Sequence, residues 1–116
     1  MVAAEERQVG EAIDAARRRT EYQISALERN LAGIVAGAEL TSTDDEHDPE
    51  GATIAYERAQ VTALLHAARG DLVALEAATH RLDADTITTC SVCGGLVALE
   101  RVLALPTTST CIHCSS

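Results

Sequence analysis

The sequence holds no Lys, no Phe and no Trp, only two aromatic residues, Tyr22 and Tyr56, and no cysteine before residue 90. Without large aromatic side chains its 116 residues cannot build a thick globular interior. The apolar content is mostly Ala, Leu, Val and Ile, a composition of helix seams. No apolar run approaches the length that spans a bilayer, and none has the basic amphipathic character of a membrane-surface helix. No membrane partner is therefore expected. The opening residues show no charged segment followed by an apolar one, so no export signal is read and a cytoplasmic location is expected. Net positive charge is also missing. The formal charge is −9 and all nine basic residues are Arg, so a phosphate backbone meets repulsion on average. Residues 86–116 carry Arg101 as their only Lys or Arg. Direct sequence-specific DNA binding is not expected from a tail with so few cations.

What the chain does have is four cysteines in two C-x2-C pairs, Cys90 with Cys93 and Cys111 with Cys114, separated by 17 residues. Each pair places two thiolates on one tight turn. Two such turns facing each other complete the tetrahedral sulfur shell of a closed structural zinc site. A disulfide framework would need an oxidising compartment that nothing in the sequence specifies. A thioredoxin-like motif would need a single C-x-x-C in a βαβ pattern. One structural Zn²⁺ held by Cys90, Cys93, Cys111 and Cys114 is the expectation, with His113 a bystander between two ligands. Four thiolates around one Zn²⁺ would add about two negative charges to an already acidic chain.

Upstream, apolar or small residues recur at Ile13, Thr20, Ile24, Leu27, Leu31, Ile34 and Ala38, and again at Val61, Leu65, Ala68, Leu72, Leu75, Thr79 and Leu82. The steps alternate four and three, which predicts two helices meeting along a seam. The connector between them is too short to return the second helix in parallel, so the pair must be antiparallel. Asp48-Pro49 is a good helix start, with a capping carboxylate followed by Pro where no N–H is needed. Gly10, Gly33, Gly37 and Gly70 each weaken a helix by about 1 kcal/mol relative to Ala, so the helices must rely on packing against each other. At 1.5 Å per residue each would reach roughly 50 Å. The expected architecture is all-α dominated: a long antiparallel two-helix coiled-coil hairpin over 4–83, with an acidic tip at 41–52, followed by a small C4 zinc finger over 86–116.

The tip concentrates charge. Asp44, Asp45, Glu46, Asp48 and Glu50 supply five of the excess negative charges with no Arg among them. Asp48 and Glu50 suit the positive end of the second helix. Asp44, Asp45 and Glu46 repel one another and call for a cation, either a basic protein surface or a hard metal such as Mg²⁺. Arg17, Arg18 and Arg19 read as a solvated helix face. His66 and His80 have no second ligand at helical spacing. No nucleophile elbow, phosphate-binding Gly loop or Cys–His dyad can be made out, so no enzyme activity is expected within this chain.

The stretch from Cys90 to Cys114 resembles the zinc finger of the DksA/TraR family, whose pattern reads C-x2-C-G-x2-I-x3-R-L-x-A-x-P-x4-C-I-x-C. Gly94, Val97 at the Ile position, Arg101, Val102 at the Leu position, Ala104, Pro106 and Ile112 all fall in register with the four cysteines. The resemblance extends to the expected architecture, a two-helix coiled coil with an acidic tip followed by the finger. It implies a bacterial transcription regulator whose partner is RNA polymerase, with the coiled coil entering the secondary channel and tip carboxylates approaching the catalytic Mg²⁺. Asp45 and Asp48 match the two acids of the family's D-x-x-D-x-A tip, and Glu50 stands at the Ala position. Longer family members carry a helix after the last cysteine, whereas this sequence ends at Ser116. The alternative is a coiled-coil and zinc-finger protein–protein adaptor that does not act on polymerase.

Overall fold

The computed structural model describes residues 1–40 and 49–115, apart from the side chains of residues 39, 40, 49 and 50. It contains α1 (Ala3–Leu40), α2 (Pro49–Asp83) and a short α3 (Leu99–Ala104). The two long helices end close to where the periodicity and the Asp48-Pro49 signal put them. Glu5 and Glu6 sit in the first turn of α1 and His80 and Arg81 in the last turn of α2, each complementing the helix dipole. The Thr86 N–H donates to the Arg81 carbonyl at 2.9 Å and the Asp85 N–H to the Leu82 carbonyl at 3.1 Å. Those two bonds with Asp85 at φ 56° form a Schellman cap, with Asp in the left-handed position that Gly usually takes.

The chain divides into two units. The first comprises Met1–Thr20 and Asp71–Ser116, that is, the start of α1, the end of α2 and everything after it. Its core joins Val9 and Ile13 of α1 and Leu75 and Ala78 of α2 to Ile87, Val97 and Val102 of the tail, with Cys90 and Cys111. Antiparallel packing of the helices is evident here. A Cβ on Gly10 would lie 3.8 Å from Leu82, and further along α1 the Arg17 Nη2 donates to Thr79 Oγ1 at 3.2 Å. Arg17 thus reaches across to α2, whereas Arg18 and Arg19 lie on the exposed face. Its long apolar stem lets the guanidinium arrive at the seam from a flanking position.

The second unit, Glu21–Gly70, buries Ile24, Val61, Leu65 and Ala68. Leu27, Leu31, Ile34 and Ala38 are half-buried beside them. The helices are antiparallel here too. Glu28 of α1 approaches Arg69 at the C-terminal end of this unit's α2 segment at 3.9 Å, and both side chains are more than half exposed. Such a pair contributes little to stability. Every position of the expected seam is buried or half-buried. Val9 and Ala78 extend it beyond the positions read from the sequence, and both are fully buried. The expected tip residues Asp44, Asp45, Glu46 and Asp48 lie outside the described residues, as does the side chain of Glu50. Among the described residues no helix is long and apolar enough to cross a membrane.

Ile87 is 1% exposed and ties the tail to the helix ends. Ile87→Ala should cost about 2–5 kcal/mol, the range for removing a large buried aliphatic side chain. Urea denaturation of the metal-loaded chain measures it. A loss below about 0.5 kcal/mol would contradict the tail's packing against α1 and α2.

Candidate metal centre

The first cysteine turn is built on a narrow β-like pairing. The Val97 N–H donates to the Thr88 carbonyl and the Cys90 N–H to the Gly95 carbonyl, both at 2.8 Å, around an antiparallel bridge between Thr89 and Leu96. Between these paired segments the Gly94 N–H donates to the Cys90 carbonyl at 3.0 Å. Gly94 takes φ 72°, which a residue with a Cβ rarely adopts, so the C-x2-C-G order is a backbone requirement of the turn. Gly95 follows because its N–H approaches Cys93 Sγ at 3.4 Å, and a Cβ there would sit 3.2 Å from the same sulfur.

The chain then forms α3, which has no side-chain N-cap. Pro106 lies just past its end, where the helix cannot continue. The second turn runs from Cys111 to Cys114, closed by the Cys114 N–H on the Cys111 carbonyl at 3.1 Å. Two bonds draw the turns together. The Ser91 N–H donates to the Ser109 carbonyl at 2.8 Å, and the Cys111 N–H donates to Cys90 Sγ at 3.3 Å.

All four thiols are free, and their sulfurs lie within 4.8 Å of one another. Cys93 Sγ and Cys111 Sγ are 3.8 Å apart. A Zn–S bond of about 2.3 Å implies a sulfur–sulfur edge of about 3.8 Å in a regular tetrahedron, so this pair already spans one edge of a zinc shell. Cys90 and Cys111 are buried, Cys114 is half-buried and Cys93 is exposed. The donor set therefore fits one structural Zn²⁺ and leaves no open coordination position for chemistry. His113 is exposed. His66 and His80 are exposed as well, and among the described residues the four cysteines are the one cluster of three or more metal-capable side chains.

The backbone around the sulfurs favours thiolates unevenly. The Cys93 N–H, with the Cys111 N–H next in weight, lowers the Cys90 thiol to about 6. At Cys111 burial is the largest influence and acts upward. The His113 N–H, the Cys114 thiol and N–H, and the Cys93 thiol together outweigh it, and the net shift is downward. Cys114 is raised to about 12 because hydrogen bonding to the sulfurs of Cys111 and then Cys93 holds its proton.

Two arginine contacts were not foreseen from the spacing. Arg101 Nε donates to the Thr110 carbonyl at 3.0 Å, and Arg81 Nη2 donates to the Thr108 carbonyl at 3.3 Å. Arg101 stood out in the sequence as the tail's lone cation, but nothing there indicated which atom it would hold.

Zinc uptake must displace the Cys114 proton at neutral pH, and below about pH 6 that of Cys90 as well. A lowered pKa favours the bound form above that pH and withdraws the advantage as pH falls through it. Zinc affinity should therefore drop on acidification by at least about tenfold per pH unit, and more steeply below pH 6. Chelator competition between pH 8 and pH 5.5 measures this. A flat profile would show that the thiols are not the ligands.

Residues 86–115 match the family model for the prokaryotic dksA/traR C4-type zinc finger. No curated protein matches the chain. A solved structure of transcription factor DksA2 from Pseudomonas aeruginosa superposes with a TM-score of 0.81 at 19% sequence identity, covering 97% of this chain and 81% of that one. At that identity the likeness shows a shared fold. Residues 86–115 are thus similar to that family's zinc finger, and the chain as a whole shares the fold of the DksA2 structure.

Proposed function

We propose that this protein is a non-enzymatic transcription regulator that binds bacterial RNA polymerase through its secondary channel. Cys90, Cys93, Cys111 and Cys114 hold one zinc ion that fixes the finger, and the connector between α1 and α2 carries the carboxylates that act on the partner. The observation that carries this reading is the combination of a DksA/TraR finger at residues 86–115 with a two-helix fold like that of DksA2. The sequence adds Asp44, Asp45, Glu46, Asp48 and Glu50 in the connector region, with Asp45 and Asp48 in the register of the family's acidic tip. Carboxylates delivered beside a catalytic Mg²⁺ could alter its coordination without any chemistry by the protein that delivers them. Polymerase and reduced thiols both imply a cytoplasmic setting.

The finger's outward side chains suit protein contact. Val92, Leu96, Leu105 and Ile112 are exposed, the last three lining one cavity, and exposed apolar patches mark protein interaction surfaces. The same feature is what an adaptor acting on another protein would need.

The test is co-purification with the cognate polymerase, followed by in vitro transcription with Asp45→Asn and Asp48→Asn combined. The expected outcome is a polymerase complex retained by the double variant, with a several-fold loss of the wild-type effect on promoter output. Failure of the wild-type chain to bind polymerase, together with stoichiometric recovery of a different protein, would establish the adaptor instead.

A further inference from the structure

The peptide unit joining Thr110 to Cys111 is gripped from both sides. Its carbonyl oxygen accepts from Arg101 Nε at 3.0 Å and from Thr108 Oγ1 at 3.2 Å, while its N–H donates to Cys90 Sγ at 3.3 Å. The peptide is trans, so its C=O and N–H point in opposite directions. Whatever fixes the oxygen also aims the hydrogen at the sulfur. Arg101 comes from α3 and Cys90 from the first turn, so a single peptide plane links α3, the second turn and a buried sulfur of the first.

We propose that Arg101 is a positioning residue of the metal centre, acting through the Thr110–Cys111 peptide to set the spacing of the two cysteine turns and retain zinc. The proposal rests on reading the four cysteines as one zinc site. Two physical effects act together. The charged guanidinium makes a stronger hydrogen bond to the carbonyl than a neutral donor would, and it polarises the peptide so that the N–H binds the sulfur more firmly. Four thiolates around Zn²⁺ also carry about two excess negative charges, and Arg101 is the only Lys or Arg between residues 86 and 116. It is half-buried and borders the same cavity as Cys93 and Cys111. Arg81, from the end of α2, steadies the arrangement by holding the Thr108 carbonyl at 3.3 Å, and Thr108 supplies the second donor to Thr110.

Lys at position 101 would keep the charge but lose the planar N–H fork, which separates the two effects. The test uses the full chain with Co²⁺ as a spectroscopic probe and Zn²⁺ for affinity, comparing wild type, Arg101→Met, Arg101→Lys and Thr108→Val. Arg101→Met should weaken metal binding about 10- to 100-fold, the usual range for loss of an outer-shell partner. Its thiolate-to-cobalt charge-transfer band should move to lower energy as the sulfur loses its N–H bond, with the far-UV helical signal unchanged. Arg101→Lys should recover part of the affinity while its band stays at the Met position.

Wild-type affinity in Arg101→Met, or full recovery of the band by Lys, would overturn the proposal. Should Arg101→Met fail to fold, Thr108→Val decides the matter. It leaves Arg101 in place and removes the other donor to the same carbonyl, so a smaller weakening with the same band shift is expected, and an unchanged site overturns the inference. A wild-type chain that takes up no Co²⁺ would sink the zinc reading itself, which is a separate failure.

Discussion

Four sulfurs held within 4.8 Å of one another cannot all be charged without a cation between them. At about 4 Å two thiolates repel by roughly 4 kcal/mol even at an effective dielectric of 20. The backbone and neighbouring sulfurs treat the thiols unevenly: Cys90 is pushed toward the thiolate while Cys114 is held toward the thiol. A divalent ion removes the conflict, and the surrounding backbone is arranged for that outcome. The pairing across Thr89 and Leu96, the left-handed Gly94, the bond from Ser91 to Ser109 and the Thr110–Cys111 peptide all converge on the sulfurs. The apolar support beneath them is slight. Ile87, Val97 and Val102 are the fully buried tail side chains of largest volume, and no aromatic ring joins them. A core of this size calls for a metal staple.

The two units rest on different interactions. In the unit containing the finger, α1 and α2 bury Val9, Ile13, Leu75 and Ala78 against the tail, so helix ends and metal site share one apolar cluster. In the other, the buried side chains among the described residues are Ile24 of α1 and Val61, Leu65 and Ala68 of α2, with no tail residue among them. Both tyrosines of the chain lie in this second unit and both are exposed, so neither thickens its seam. The Glu28–Arg69 pair is too solvated to compensate. Its stability depends on helix propensity and the packing of Leu, Ile, Val and Ala side chains along the seam.

The sequence made the helical hairpin legible because alternating steps of four and three are a one-dimensional imprint of helix packing. Ile13 through Leu82 could be placed on that seam without coordinates. Cysteine spacing was equally direct, since a turn of fixed geometry demands Cys, two residues, Cys and then Gly in the first pair. Val9 lies four residues before Ile13, but its complete burial belongs to the cluster that α1 shares with α2 and the tail, a tertiary arrangement that no periodicity encodes. Ala78 stands next to Thr79, the residue that keeps the four-and-three alternation, yet close packing leaves it no exposure. Arg17, Arg81 and Arg101 were the least legible. A long side chain with five donors reaches a partner 62, 27 or nine residues away according to where the folded backbone sets its stem, and no periodicity encodes that.

Those arginine contacts also bear on what the finger can meet. A C4 finger that reads nucleic acid turns cations toward phosphates. Here the single cation of residues 86–116 donates inward to the Thr110 carbonyl, and a zinc-loaded tetrathiolate adds negative charge beside it. Several large apolar side chains are left outside, Val92 at 70% exposure, Leu96 at 78% and Ile112 at 72%, and the charged one exposed among them is the acidic Glu100. Such a surface gains by covering apolar area and gains little from a polyanion. The chain's −9 charge acts in the same direction, because it repels phosphate and favours a basic protein partner. The finger's electrostatics and its exposed side chains thus argue together for a protein partner, and the inward commitment of Arg101 is what makes the two agree.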